Sequence, residues 1–286
     1  MGKTRHCWCE QAASPFESES QLVNTFTNVP HLALALYTLL ALPEPPAMYA
    51  QCLGMMLLAI VGSILHHALP LLDWSYYTDI EPMLLLAGLY CLYLCASLGA
   101  LTGSALARNA FLLVGLVVFA SQSIATSKGY GESYTMTEGF TTTFGVNVVL
   151  HSLLWLKSSV PVARSDFFDV PENRTDLHRA YVLCGALLAV ALACQRIEAD
   201  GCPDWLSGSV GLHGVWHLCV YHVTYNSLGL LVVQNSAQDN SGVEWRSFSV
   251  PRWLVVVPFG LTAEPRMCAN IRTTFPALFL QREQEP

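Results

Sequence analysis

The sequence is poor in charged residues. Only 12% of its 286 residues are Asp, Glu, Lys or Arg, whereas ordinary globular chains are roughly a quarter charged. Hydrophobic residues make up 53%, and the mean hydropathy is +0.41. Because so few charges cannot cover a water-facing surface, the composition excludes a soluble domain. It predicts a protein that uses lipid as part of its solvent.

The sequence also lacks an excess of basic residues, and its first 20 residues contain no apolar run. The net charge is −7, so the chain has no electrostatic footprint for nucleic acid. The first 20 residues are mixed polar, and we expect membrane insertion to rely on the first membrane helix instead. No polar stripe recurs along several helices, as a channel would need. The ten cysteines are scattered, mostly within apolar runs, and most are expected to be small core residues.

Seven stretches approach the length of about 20 apolar residues that a membrane helix needs. They are Gln21–Leu42, Gln51–Pro70, Asp79–Leu101, Asn109–Thr126, Glu138–Leu156, Leu177–Cys194 and Leu206–Val233. The sequence therefore predicts an all-α, polytopic membrane protein with a seven-transmembrane-helix bundle over residues 21–235. An N-terminal segment, 1–20, precedes the bundle, and a tail, 236–286, follows it. The short apolar run Trp253–Leu261 is expected to be interfacial or packed on the bundle.

The distribution of Lys and Arg predicts the orientation. With seven spans, the side that holds the N-terminus carries few positive charges, and the opposite side carries most of them. We therefore expect a cytosolic C-terminus and an N-terminus outside the cell or in a lumen. Separately from the charge bias, we expect the membrane to be that of the endoplasmic reticulum or Golgi, with the N-terminus lumenal. The sequon Asn173-Arg174-Thr175 then falls in the cytosol and is expected to be unused.

Ionisable groups at membrane depth are costly, so they are candidates for function. His213 and His217 are spaced i, i+4, which places both imidazoles on one helical face. This spacing suits two ligands of one metal, and imidazole favours zinc among the common metals. Two histidines at this spacing also occur by chance. Gly214 excludes the HExxH pattern of a metalloprotease helix.

Five polar residues are expected at the same end of the bundle. Ser63 and His67 fall near the end of the second span, Asp79 opens the third, and His213 and His217 lie in the first turns of the seventh. Three histidines with an open fourth position form a catalytic zinc arrangement. Taken alone, Ser63 is also explained as a small packing residue, and Asp79 as a helix N-cap.

The remaining intramembrane histidines have a simpler interpretation. His66 is turned about 100° from His67 on the helix and is read as a packed or pore-facing residue. His31, His151 and His222 are read as helix-packing hydrogen-bond partners.

Five short pieces then occur in a characteristic order. They are Trp8-Cys-Glu10, Asn24-Thr-Phe-Thr-Asn28, Gly62-Ser-Ile-Leu-His-His67, Asp79-Ile-Glu-Pro-Met83 and His213-Gly-Val-Trp-His217. In order, spacing and placement on the spans, the chain resembles the alkaline ceramidases. That family lies within a wider superfamily of seven-helix membrane hydrolases and adiponectin-type receptors.

The resemblance implies a reaction and a set of residue roles. Ceramide would enter from the lipid and be hydrolysed at its amide bond to a sphingoid base and a fatty acid. Asp79 would be the general base or proton shuttle, Ser63 would steady the developing oxyanion, and Trp216 would lie beside the substrate head group. Zinc would be bound by His67, His213 and His217.

The chain departs from the family pattern in two places. The family's N-terminal segment holds calcium through oxygen ligands, but here Cys7, Ala12 and Gln21 stand where the family has Asp, Asn and Glu. Glu10 is the one remaining carboxylate and Trp8 could offer its backbone carbonyl, so the candidate calcium positions are Trp8, Glu10 and Gln21. Since calcium takes six to eight oxygen ligands, we expect weak calcium binding or none. One extra residue between His67 and Asp79 leaves Asp73 as an alternative to Asp79.

The resemblance also implies a Cys9–Cys202 disulfide on the lumenal side, where oxidation is possible. Two other functions remain open on the same fold. One is a receptor-like or regulatory protein, and the other is a hydrolase of ester-linked lipids. Retention of both Asp79 and Ser63 favours an enzyme over a receptor.

Overall fold

The structure is a computed structural model. Helices account for nearly all of the residues that it describes. It covers residues 22–41, 47–69, 73–100, 104–127, 145–154, 156, 171–199, 212–238, 244–246, 254–255 and 257–259. In chain order the helices are α1 Leu22–Thr27, α2 Val29–Ala41, α3 Ala47–Ala68, α4 Asp73–Ala100, α5 Ala105–Ser127, α6 Gly145–Leu154, α7 Pro171–Ala199 and α8 Leu212–Gln238. Two short strands, β1 Glu244–Arg246 and β2 Val257–Phe259, pair antiparallel.

The helices coincide with the predicted spans. Helices α1 and α2 together cover the first span, and α3 to α8 cover the other six in order. Within the described residues, three helices are long and apolar enough to cross a membrane: Ala47–Ala68, Trp74–Gly99 and Pro171–Ile197. The prediction of an all-α membrane protein is confirmed.

The first span is broken at Asn28, which lies between α1 and α2. Pro30 explains the break because it has no backbone N–H and clashes with the carbonyl of the residue four positions earlier. At this point the amide of Asn28 bonds to the carbonyl of Thr25 at 3.4 Å, and the amide of Leu32 bonds to the carbonyl of Asn28 at 3.1 Å.

Four helices begin earlier than the hydrophobic pattern predicts, and two of them, α4 and α7, do so by six residues. Helix α4 starts at Asp73, so Asp79 lies inside the helix and the reading of Asp79 as an N-cap is wrong. Helix α7 starts at Pro171, before the expected Leu177; proline suits the first turn, where a backbone N–H has no helical partner. In both cases a polar first turn extends an apolar helix.

Helix α4 is the centre of the bundle. It packs between α3 and α5, and 83% of its apolar window is buried, against 28% for that of α7, which packs on α8 at the edge. The main core consists mostly of residues from α3, α4 and α8. The cysteines of the described helices are buried, as expected: Cys52, Cys91, Cys95, Cys184, Cys194 and Cys219.

The chain after α8 returns to the bundle. The carbonyl of Leu254 accepts hydrogen bonds from Nε2 of His222 and Nδ2 of Asn226, both at 2.9 Å. Val255 packs against the main core, and β2 contacts α8. The described part of the short apolar run is thus packed on the bundle, one of the two placements that the sequence allowed.

Candidate functional site

Helices α3 and α8 bring three histidines together. His67 lies in the last turn of α3, while His213 and His217 occupy the first two turns of α8. Their ligand atoms all lie within 4.8 Å of one another, and the Nε2 atoms of His67 and His217 are 2.9 Å apart. All three residues are buried. This group could hold a metal ion.

The imidazoles are fixed by aromatic neighbours on α8. Trp216 stacks on His213 with ring centroids 5.3 Å apart and planes 9° apart. Tyr221 stacks in the same way on His217, at 5.8 Å and 9°. Trp216 is thus in contact with the histidine group itself. The sequence did not single out Tyr221, although its i+4 spacing from His217 placed it on the same face.

Asp79 lies beside the histidine group rather than in it. The carboxyl is buried and adjacent to the hydroxyls of Ser63 and Tyr221. Its Oδ1 has no hydrogen-bond partner among the described residues. Because a buried, unsatisfied carboxylate oxygen is costly, this atom is suited to a proton, a water molecule or a substrate group.

Ser63 connects Asp79 to α1. Its side chain is fully buried, one helical turn before His67. The amide of Asn28 donates to the Ser63 hydroxyl at 3.4 Å and to the carbonyl of Asn24 at 2.7 Å. Asn28 therefore presents an N–H to the oxygen of Ser63, while the Ser63 hydroxyl is itself hydrogen-bonded to the Asp79 carboxyl.

Gly214 allows α1 to approach the start of α8. A Cβ at this position would lie 3.1 Å from a methyl of Thr27, 3.2 Å from a methyl of Val23 and 3.3 Å from Oδ1 of Asn24. A larger side chain between His213 and Trp216 would push α1 away. Close helix packing thus explains why glycine, and not glutamate, follows the first histidine of the pair.

The other histidines for which the sequence predicts packing roles lie outside this group. His66 faces α4, where its Nδ1 is 3.2 Å from the hydroxyl of Ser75. The ring of His31 lies 5.9 Å from that of His222, which bonds to Leu254. His151 is hydrogen-bonded through Nδ1 to the hydroxyl of Tyr90.

A mainly apolar cavity of about 300 Å³ lies between α4, α6, α7 and α8. Tyr221 lines it and separates it from His217, so the cavity begins next to the histidine group. The exposed residues Ser152 on α6 and Val182 and Gly185 on α7 also line it. Among the described helices, the cavity therefore has an open side between α6 and α7.

Several predicted site residues lie outside the described residues. They are the candidate calcium positions Trp8, Glu10 and Gln21 and the candidate disulfide pair Cys9 and Cys202. These remain predictions. Asp73, the alternative to Asp79, is the first residue of α4 and lies six positions before the buried carboxyl.

A family model described as Ceramidase matches residues 3–258, almost the whole chain. The chain belongs to the ceramidase family. This membership implies a hydrolase that acts on the amide bond of ceramide, a lipid substrate. A search of curated proteins gives no significant match.

Proposed function

We propose that this ceramidase is a zinc-dependent intramembrane hydrolase that cleaves ceramide to a sphingoid base and a free fatty acid. The observation that carries the proposal is the convergence of three buried histidine nitrogens within 4.8 Å, beside a buried carboxyl with an unpaired oxygen. We place the chain in the endoplasmic reticulum or Golgi membrane, with its N-terminus lumenal.

The donor set fits zinc. His67, His213 and His217 offer three imidazole nitrogens, and imidazole is a preferred ligand of zinc. Three protein ligands leave a fourth position open, as in catalytic zinc sites. When bound, the metal would act as a Lewis acid and make water a stronger nucleophile at neutral pH. Asp79 is not one of the three clustered ligands and is free for proton transfer.

The chain's own side chains would manage the protons. Oδ1 of Asp79 accepts a proton from the attacking water while the water oxygen forms a bond to the amide carbon. As the C–N bond breaks, the same proton passes to the leaving nitrogen, so the products are an amine and a carboxylic acid. The hydroxyl of Ser63, whose oxygen already accepts from Asn28, donates to the negative charge that develops on the carbonyl oxygen.

The cavity supports a lipid substrate. Its mouth between α6 and α7 faces lipid, and its inner end lies at Tyr221, next to the histidine group. A hydrocarbon chain could enter sideways and bring its amide to the site without crossing water. Trp216, stacked on His213, would form the wall against the head group.

The test is hydrolysis of labelled ceramides by the detergent-purified chain, with elemental analysis of the same sample. We expect release of sphingoid base, its loss with a zinc chelator, and one zinc per chain. His213→Ala should lose both zinc and activity. His66→Ala is the matched control, since His66 bonds to Ser75 and lies outside the group.

Other outcomes would assign the site differently. Zinc without release from any ceramide would support a receptor-like protein, and a panel of ester-linked lipids would test the ester hydrolase directly. Absence of zinc from the active wild-type chain would overturn the metal mechanism.

A further inference from the structure

Polar side chains also line the mainly apolar cavity, and two of those on α6 are buried. They are Asn147 and His151, which lie one helical turn apart and therefore on one face. Both are more than nine-tenths buried, with 4% and 9% of their surface exposed. Neither belongs to the histidine group or to the proposed proton transfer.

Each of these side chains is fixed to α4 by one polar atom. Nδ2 of Asn147 donates to the carbonyl of Ala87 at 2.9 Å, and Nδ1 of His151 is hydrogen-bonded to the hydroxyl of Tyr90. The second polar atom of each, Oδ1 of Asn147 and Nε2 of His151, is buried and has no hydrogen-bond partner in the described chain. Leaving such atoms unpaired costs free energy.

The two unpaired atoms are complementary. Oδ1 of Asn147 can only accept. A neutral imidazole carries one proton; when the Tyr90 hydroxyl donates to Nδ1 of His151, that proton is on Nε2, which then donates. An acceptor and a donor one turn apart match a hydroxyl group, which needs one of each.

The position of the pair along the bundle says which part of a lipid would reach it. Ala87 and Tyr90, its partners on α4, lie eight and eleven residues beyond Asp79, or roughly 12 to 16 Å at the helical rise. On α8 the cavity lining runs from Val220 to Ser227, again away from His217. Asn147 and His151 therefore lie too far from the amide position to contact groups next to it. They are level with the middle of a bound hydrocarbon chain.

We propose that Asn147 and His151 determine substrate specificity by binding a hydroxyl group carried part-way along the lipid chain in this cavity. This proposal rests on the proposed function for the identity of the lipid. An unsubstituted chain would fit the apolar walls but leave both polar atoms unpaired or in contact with water. A hydroxyl at the right carbon would satisfy both.

The test measures binding, so it does not depend on turnover. The ligands are N-alkyl amine analogues of ceramide that lack the carbonyl and cannot be cleaved. A single hydroxyl is moved carbon by carbon along the chain, in one series on the N-linked chain and in another on the sphingoid chain. Affinities for the full-length chain in detergent are measured by displacement of a radiolabelled plain analogue.

We expect one series to show a single preferred mid-chain position with roughly fivefold tighter binding than the plain analogue, the factor for one net hydrogen bond. The series that shows it identifies the chain that occupies the cavity. Asn147→Leu and His151→Phe should each bring the ratio of hydroxylated to plain affinity to one. Because the ratio is taken within each variant, a general loss of affinity cancels.

Ser152→Ala is the matched control, since Ser152 also lines the cavity but its hydroxyl already donates to the carbonyl of Val148 at 2.8 Å. It should keep the preference. A wild-type chain with no preferred position in either series would overturn the proposal and assign the two atoms to water only. Ceramide hydrolysis without the hydroxyl preference would overturn this proposal and leave the proposed function intact. The hydroxyl preference without ceramide hydrolysis would overturn the proposed function and leave this proposal intact.

Discussion

Gly62 on α3 lies directly against the backbone carbonyl of Thr78 on α4. A Cβ at position 62 would overlap this carbonyl and lie 3.1 Å from the amide nitrogen of Asp79. Pro82 has no N–H to bond the carbonyl four residues earlier, so the Thr78 oxygen is available to a Cα–H of glycine. The two helices thus touch at the residues that precede Ser63 and Asp79.

Gly62→Ala should therefore separate α3 from α4 at the site. The obstructing atoms belong to the backbone and cannot rotate away, so we expect a destabilisation of about 1–3 kcal/mol together with loss of hydrolysis. Thermal unfolding in detergent and ceramide turnover measure the two effects. Gly54→Ala is the control on the same helix, since a Cβ there meets nothing within 4 Å.

Gly54→Ala should be neutral or slightly stabilising, by up to about 1 kcal/mol, because alanine favours a helix more than glycine does. A Gly62→Ala chain with wild-type stability and turnover would show that the close contact is not needed for the site.

Hydrophobicity and polar spacing were enough to place the spans and to bring His67, His213 and His217 to one end of the bundle. Both signals are local, since each depends on residue type at helical spacing. They predicted His151 as a helix-packing residue but not its partner Tyr90, its place in the cavity or the break at Asn28, because these depend on how helices far apart in sequence pack. The polar first turns of α4 and α7 were missed because an apolar window detects only the lipid-embedded part of a helix.

Asp79→Asn should lower kcat by about 10² to 10⁴, the usual contribution of a general base. Asparagine keeps the shape of the side chain but cannot take the proton, and zinc should remain bound because Asp79 lies outside the three-histidine group. The measurements are steady-state kinetics and elemental analysis. Glu81→Gln makes the same chemical change two residues along α4 and serves as the control.

Ser63→Ala should have a smaller effect than Asp79→Asn, of about 10²-fold in kcat, as for loss of one donor to an oxyanion.

Turnover by Asp79→Asn equal to that of the wild type, with Glu81→Gln inactive, would assign the base to Glu81.

Gly185→Phe should block the mouth of the cavity. Gly185 is exposed, lines the cavity, and has open space where a side chain would project. We expect reduced kcat/KM for long-chain ceramides and a smaller reduction for short-chain ones, which need less of the cavity. Hydrolysis of a chain-length series measures this. Ala189→Phe, one turn further along α7 at an exposed position that does not line the cavity, should leave the profile unchanged.

An equal loss at every chain length would contradict the assignment of the opening between α6 and α7 as the route for the lipid chain. A short-chain substrate that retains its rate would also show that Gly185→Phe has not unfolded the protein.

The antiparallel pair β1 and β2, together with Leu254 and Val255, forms a ribbon after α8 that should contribute to the stability of the bundle. Leu254 accepts hydrogen bonds from His222 and Asn226 at 2.9 Å, and Val255 packs against the main core. Deleting residues 243–286 removes this carbonyl from two side chains on a membrane helix. Each unsatisfied polar group costs about 1–3 kcal/mol, so the deletion should lower the thermal unfolding midpoint in detergent.

Deleting only residues 261–286 is the matched control, because it keeps every described contact of the ribbon. If both deletions lower the midpoint equally, stability depends on the distal tail rather than on Leu254. If only the longer deletion lowers the midpoint, Asn226→Leu should reproduce part of its effect, since leucine removes the amide donor.

The ring of His31 lies 5.9 Å from that of His222 and 6.1 Å from that of Tyr221. Loosening of the ribbon should thus also lower turnover, through the tyrosine stacked on His217.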